Sequence, residues 1–307
     1  MKLQIRNLHT SFSDGTTGLQ GINLTLGTGI CSVLGPSGSG KSTLLQAVTQ
    51  AHSIERGTIR LDGQAVHHSQ RSIGYLSSTA ESSDVTGEQF LLQAALQAGI
   101  LSPRIGREQV HQLLHKFGLF DQRKKPLSQF SKGMLCRIFI ARSLLGHPSV
   151  VLLDDPTALL SPLERQEVLR YIAEIGRQRI VLMATSNPAD ASALGGRLVI
   201  MDQGRIIASG KTDALEAGLN GRTYERLCLP NTIPYLEEKY SIIARIPFLG
   251  KELVTIVADE QPDASFSLKA PTLEDYYCYK LSKKRVSESE ADFYQMPPLN
   301  LNRLSSK

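Results

Sequence analysis

Tryptophan is absent from the 307 residues, and cysteine is scarce. The four cysteines (Cys31, Cys136, Cys228, Cys278) are scattered with no C-x-x-C spacing. That pattern argues against a disulfide framework or a paired-cysteine metal site, and for free thiols in a reducing compartment. No run of about 18 apolar residues occurs, so no membrane-spanning helix is expected. The N-terminus enters an alternating pattern (Leu3, Ile5, Leu8) without the charged-then-apolar order of a signal peptide. A cytoplasmic chain is expected, and any membrane role must come through a partner. Also missing is a Lys/Arg block with interleaved aromatics. The net charge of +5 suits phosphates or an anionic surface, but nucleic acid is not expected as a partner.

What is present is an ordinary globular composition, 41% hydrophobic and 21% charged, long enough for one large domain and a smaller appendage. Residues 35–43 read GPSGSGKST and match G-x-x-x-x-G-K-[ST] at Gly35, Gly40, Lys41 and Ser42. A β-prone run at 30–34 precedes the motif and a helix-like run at 44–48 follows it. In this context glycines let backbone N–H groups turn toward the β- and γ-phosphates, and the new helix adds its positive end. The whole loop (Gly35, Pro36, Ser37, Gly38, Ser39, Gly40, Lys41, Ser42, Thr43) is therefore read as phosphate-binding. Lys41 supplies a point charge and the Ser42 hydroxyl a ligand for Mg²⁺.

Around this loop the chain alternates. Short strands are expected at 3–8, 22–26 and 30–34, then at 57–62 and 72–76, with the helix after the phosphate loop ending near Ser53. Residues 77–83 are polar and serine-rich. From there to about 148 the pattern is helical, opening with the capping-box spacing Thr86-x-x-Gln89. Strands resume at 150–153, 179–184 and 198–201, and a helix begins at Ser161-Pro162-Leu163-Glu164. Apolar strands alternating with helices imply a largely parallel sheet covered on both faces. Composition shifts near 218–222. Strands at 242–246, 253–257 and 266–268 and a helix at 272–281 then read as a small accessory domain, followed by a polar tail expected to be disordered.

Val151-Leu152-Leu153-Asp154 is an apolar strand ending in a carboxylate, 113 residues after Lys41. Behind a phosphate loop, Asp154 is read as holding Mg²⁺ with Ser42. A phosphate loop by itself leaves kinases, GTPases and many ATPases open.

The motifs now in hand resemble the ATP-binding cassette (ABC) ATPases, specifically transporter ATP-binding subunits, over roughly residues 1–220. The phosphate loop, Phe130-Ser131-Lys132-Gly133-Met134 and Asp154-Asp155-Pro156-Thr157 carry the likeness. The middle stretch is similar to the signature L-S-G-G-[QM], with Phe for Leu and Lys for the first Gly. The resemblance implies that Ser131 and the Gly133 N–H cap a γ-phosphate bound to the opposite subunit of a head-to-tail dimer. It places Phe12 where the family stacks an aromatic on adenine. Ala270-Pro271-Thr272-Leu273-Glu274-Asp275 is similar to the C-terminal helix of drug-, bacteriocin- and polysaccharide-type exporters.

Beyond the signature, the chain departs from the family pattern at four separate catalytic places. Ser77-Ser78 stands where Pro-Gln is usual, and Asp155 replaces the Glu that polarises water. Ser186 replaces His, and Ser161 replaces an Asp. Shortening Glu to Asp retracts the carboxylate by about 1.5 Å, one C–C bond, and misplacement of about 1 Å can cost on the order of 10²-fold. Asp155, Ser186 and Ser78 are thus the candidate catalytic residues of an ATP hydrolase expected to be impaired at its own site.

The resulting expectation is an α/β fold: a P-loop ABC ATPase core with a mixed, largely parallel sheet and flanking helices. An inserted helical subdomain (about 79–148) and a small α+β C-terminal accessory domain (221–285) complete it, with a tail at 286–307. The cofactors are ATP and Mg²⁺. The partners are integral membrane permease subunits and a second ATP-binding subunit, in a homodimer or heterodimer. The chain is expected at the inner face of the membrane, serving export. The alternatives are a regulatory ATP-binding module without turnover and a non-transport ABC ATPase.

Overall fold

Apolar alternation decides where the strands of the first unit lie. The computed structural model describes residues 1–12, 14–77 and 84–282, so Ser78 and the expected tail at 286–307 fall outside it. The chain divides into two compact units, the first Met1–Asp213 and the second beginning at Ala214. The sequence reading puts that boundary at 220.

In the first unit, β1 (Lys2–Ser11) pairs antiparallel with β2 (Thr17–Gly27), setting Leu3 opposite Leu26 and Ile5 opposite Leu24. β3 (Gly29–Leu34), α1 (Lys41–Thr49), β4 (Arg56–Leu61), β5 (Gln64–Ala65) and β6 (Ile73–Leu76) follow. The helix after the phosphate loop stops at Thr49, short of the expected Ser53, because Gln50 takes a left-handed φ of 61° and its N–H turns back to Ala47. Three helices come next: α2 (Gly87–Gln97), α3 (Pro103–Lys116) and α4 (Lys132–Ser143). The capping box at the start of α2 forms as its spacing predicts, with the Thr86 N–H donating to Gln89 Oε1 at 3.0 Å and the Gln89 N–H to Thr86 Oγ1 at 3.3 Å. The unit continues with β7 (Val150–Asp154), α5 (Pro162–Gly176), β8 (Ile180–Thr185), α6 (Pro188–Leu194), β9 (Arg197–Asp202) and β10 (Arg205–Lys211). The division between units falls within α7 (Thr212–Ala217).

Two sheets result. The smaller has the order β2-β1-β4-β5 and is antiparallel. The larger has the order β10-β9-β3-β8-β7-β6, parallel except for the edge strand β10. Every residue of β7 and β8 is buried, as befits strands covered on both faces. Alternate residues point opposite ways. Val150, Leu152, Ile180 and Leu182 share a core with Leu44, Leu45 and Val48 of α1 and with the antiparallel sheet. Val151, Leu153, Val181 and Met183 share another with Leu91, Val110, Ile138 and Ile172 of the flanking helices.

The second unit is built on an antiparallel sheet of order β12-β13-β11-β14, from β11 (Thr223–Cys228), β12 (Ser241–Phe248), β13 (Lys251–Val257) and β14 (Ser267–Leu268), with α8 (Ile233–Lys239). Tyr224, Ile233, Leu236, Val254, Ile256 and Phe266 form its core. A helix over 273–282 begins with the Asp275 carboxylate accepting from the Thr272 N–H at 2.8 Å and from Lys269 Nζ at 2.7 Å.

Gly74 is the tightest point of the larger sheet, since a Cβ there would lie 1.7 Å from the carbonyl oxygen of Ser143 at the end of α4. Gly74→Ala is expected to destabilise the chain by about 3 kcal/mol, as overpacking against backbone does. The melting temperature should fall by roughly 5 °C or more in a thermal scan.

Candidate functional site

The parallel register delivers three loops to one place. Asp154 of β7 pairs with Ala184 of β8, and Ala184 with Val33 of β3. The phosphate loop, Asp155 and Ser186 therefore leave the carboxyl ends of three adjacent strands, where ligands bind in α/β sheets.

The loop's glycines are needed where they stand. Gly38 (φ 77°) and Gly40 (φ 96°) occupy the left-handed region, and Gly40 caps α1. A Cβ on Gly35 would meet Met201 O at 2.4 Å and Ser39 Oγ at 2.5 Å, so the loop lies hard against the end of β9. Ser39 is 2% exposed and, among the described residues, its hydroxyl has no hydrogen-bond partner. Lys41 folds back under the loop and donates from Nζ to the carbonyls of Gly35 and Pro36, each at 2.8 Å. Among the described residues no carboxylate comes within salt-bridge distance of it. Burial pushes the Lys41 ammonium below its ordinary range, against the opposing pull of Asp155 and Asp154.

Behind the loop, the Ser42 hydroxyl donates to Asp154 Oδ1 at 3.0 Å, joining the two residues read as metal ligands. Burial raises the Asp154 carboxyl above its usual range, while the Ser42 hydrogen bond and Lys41 oppose it. Asp155 is also raised, chiefly by burial; Lys41 opposes, and Asp154 and Asp190 add to the rise. The backbone of Asp155 is left-handed (φ 49°), and its N–H donates to Ala184 O at 3.0 Å.

A cavity of about 580 Å³ gathers Phe12, Ser37, Gly38, Gly40, Lys41, Ser42, Thr43, Asp154, Asp155 and Ser186 on one wall system. Phe12 is 42% exposed and its ring lies 5.1 Å from that of His52. Gly35, Pro36 and Ser39 form the inner side of the loop and do not line the cavity. Ser131 and Gly133 lie at the start of α4, also outside it. There the Ser131 hydroxyl accepts from the Met134 N–H at 3.1 Å. A Cβ on Gly133 would meet Glu164 Oε1 at 2.2 Å, and hydrogen bonds from Ser161 and then Gly133 hold the Glu164 carboxyl below its usual range. Ser161 itself begins α5, where its N–H and hydroxyl both donate to Glu164 Oε2 at 3.1 and 2.8 Å.

The sequence reading missed the far rim of the cavity: Thr17, Gly18, Gln20, Gln203 and Gly204. Gln203-Gly204 reads as a turn, which it is, but it also braces the site. Gly204 donates from N–H to Ser39 O at 3.0 Å and accepts from the Gln20 N–H at 2.9 Å. A Cβ on Gly204 would meet Gly18 O at 2.4 Å. A glycine required by close approach looks in sequence like any turn glycine, so only the contact distinguishes it.

A glycine cradle with a buried lysine, backed by a hydroxyl–carboxylate pair at the ends of parallel strands, defines a P-loop nucleotide-binding protein. Comparison with known proteins narrows the class. The ABC transporter family matches residues 19–158. The daunorubicin/doxorubicin resistance ATP-binding protein DrrA of Streptomyces peucetius is 32% identical over 260 residues, covering 82% of this chain and 76% of DrrA. DrrA3 of Streptomyces coeruleorubidus is 32% identical over 209 residues, 66% of each chain. The aliphatic sulfonates import ATP-binding protein SsuB 2 of Agrobacterium fabrum is 33% identical over 208 residues, 67% of this chain and 78% of SsuB 2. In fold, the chain is similar to the dimeric ATP-binding cassette MJ0796 bound to ADP and Pi, with a TM-score of 0.62 and 21% identity over 68% of this chain and 98% of the other. The chain belongs to the ABC transporter family of ATP-binding subunits, whose relatives include both resistance and import proteins.

Because burial raises the Asp155 carboxyl in the folded chain, its charge costs stability above the unfolded pKa, and the cost vanishes below it. Asp155→Asn, which tolerates the same left-handed backbone, is expected to raise the melting temperature of the nucleotide-free chain at pH 7. The gain should disappear as pH falls below about 4. Thermal scans across pH measure it.

Proposed function

We propose that the chain is the ATP-binding subunit of an ABC exporter, gripping Mg-ATP firmly and hydrolysing it slowly at its own site. The observation that carries this reading is the contrast within one cavity: a complete phosphate cradle beside a shortened base, Asp155, and a hydroxyl, Ser186, where longer groups would reach further. Lys41 and the backbone N–H groups of the cradle suit phosphate oxygens, and the desolvated ammonium suits an anion. Mg²⁺, held by Ser42 and Asp154, would neutralise charge on the β- and γ-phosphates. Phe12 offers a face for the adenine ring.

Asp155 is placed to accept a proton from water, and its raised pKa makes it a stronger base than a free aspartate. Its reach remains one bond short. Ser186 can orient a water by hydrogen bonding but carries no charge. Ser78, beyond the described residues, is the third position of the candidate catalytic set. Ser131 and Gly133 serve the opposite subunit of a head-to-tail dimer, so a partner with a full catalytic set would turn over while this chain's own site holds nucleotide. Permease subunits would bring the chain to the inner face of the membrane. Export over import is favoured by Ala270-Pro271-Thr272-Leu273-Glu274-Asp275, the stretch that resembles the C-terminal helix of exporter subunits.

Mg-ATP binding by the purified chain tests the grip. Lys41→Ala should weaken it on the order of 10²-fold, the cost of removing one partner from a buried charge pair. Turnover of the chain without a partner should be slow. Asp155→Glu with Ser186→His should raise kcat by about 10²-fold, the scale of general-base help. Rapid turnover by the unmodified chain, abolished by Lys41→Ala, would refute the slow-site reading.

A further inference from the structure

Asp190 is 1% exposed and takes no place in the lining of the nucleotide cavity, yet its carboxylate ties together the segments that carry the lining residues Asp155 and Ser186 and joins both to the start of α5. Oδ2 accepts the Thr157 hydroxyl at 2.6 Å, and Oδ1 accepts the Nε–H of Arg165. Thr157, itself 5% exposed, stands two residues beyond Asp155. Arg165 lies in the first turn of α5, its N–H bonded to Ser161 O at 2.9 Å. Asp190 lies in the first turn of α6, four residues beyond Ser186, where the Asn187 side chain caps the helix by accepting from the Ala189 N–H at 2.9 Å.

A buried carboxylate with both oxygens engaged tolerates little independent motion. If the Thr157 segment moves away without Asp190, one oxygen is left unpaired in the interior. If α5 moves away, a buried charge loses its counter-charge. The segment after β7 is held from its other side too, since Cys136 of α4 donates from Sγ to Pro156 O at 3.0 Å. Burial pushes that thiol up to about 12, so it stays protonated and keeps donating.

We propose that Asp190 is a positioning residue through which the Asp155 segment, the start of α5 and the Ser186 loop shift as one piece when nucleotide binds. The proposal rests on the Mg-ATP reading above. A displacement at any of the three is transmitted to the others because the alternative is a buried carboxylate stripped of its hydroxyl or its counter-charge.

Amide hydrogen exchange of the full chain, with and without Mg-ATP, tests it. In the unmodified chain, nucleotide should slow exchange at 35–43, 155–161 and 185–190 together. Asp190→Asn should keep Mg-ATP affinity within about threefold and keep protection at 35–43, but lose at least half of the protection at 155–161. Asp190→Glu should restore most of it, which a role in packing alone would not require. If Asp190→Asn does not fold, Thr157→Val cuts only the hydroxyl arm and should show the same selective loss at 155–161. Full protection at 155–161 in a folded Asp190→Asn or in Thr157→Val overturns the coupling while leaving nucleotide binding standing. No protection at 35–43 in the unmodified chain overturns the nucleotide reading and this proposal with it.

Discussion

The parallel pairing of β3, β8 and β7 is the constraint on which the site depends. Val33, Ala184 and Asp154 lie in one row across the three strands. A slip of one residue in either pairing would turn the buried faces of these strands toward the wrong core. It would also move Asp154 about 3.3 Å along the sheet, far enough to separate it from Ser42. The register is held by apolar residues on both faces, so the two cores position the chemistry although no core residue takes part in it.

Electrostatics at the strand ends follow from the same geometry. Two carboxylates and one ammonium converge where burial penalises every charge, which explains why Asp154 and Asp155 are both raised and Lys41 is lowered. In the nucleotide-free chain the mutual attraction only partly offsets desolvation. A site so arranged is poised to gain from an arriving anion and cation, since each would compensate a charge the fold already holds.

Much of this was legible in the sequence because motif residues are local. The phosphate loop, Asp154 and the capping box of α2 are runs in which every needed side chain stands within a few positions. The strong strands β7 and β8 declare themselves by continuous apolar character. Less legible was whatever depends on distant segments meeting. Gln20 and Gly204 are 184 residues apart yet share a hydrogen bond at the cavity rim. β11 carries Glu225 and Arg226 in its middle and buries Tyr224 and Cys228, so its pattern does not read as a strand. The short α6 escapes notice because its seven residues are too few for a periodic stripe. Ser131 illustrates another limit: its hydroxyl has one geometry as a helix cap within this chain, and the sequence cannot say which partner it meets beyond it.

The placement of Asp155 and Ser186 past the last paired residues of their strands has a consequence for how such a chain changes over generations. Neither side chain belongs to either hydrophobic cluster, and Ser186 stands in solvent. Replacements at Ser186 cost the fold little, and Asp155→Asn, which keeps the left-handed backbone, should even help it. Selection for a stable fold would therefore do little to preserve the catalytic roles proposed for these positions, while the close-packed glycines of the phosphate loop resist replacement on structural grounds. A lineage freed from the need to hydrolyse at this site would lose its catalytic residues first and its nucleotide cradle last.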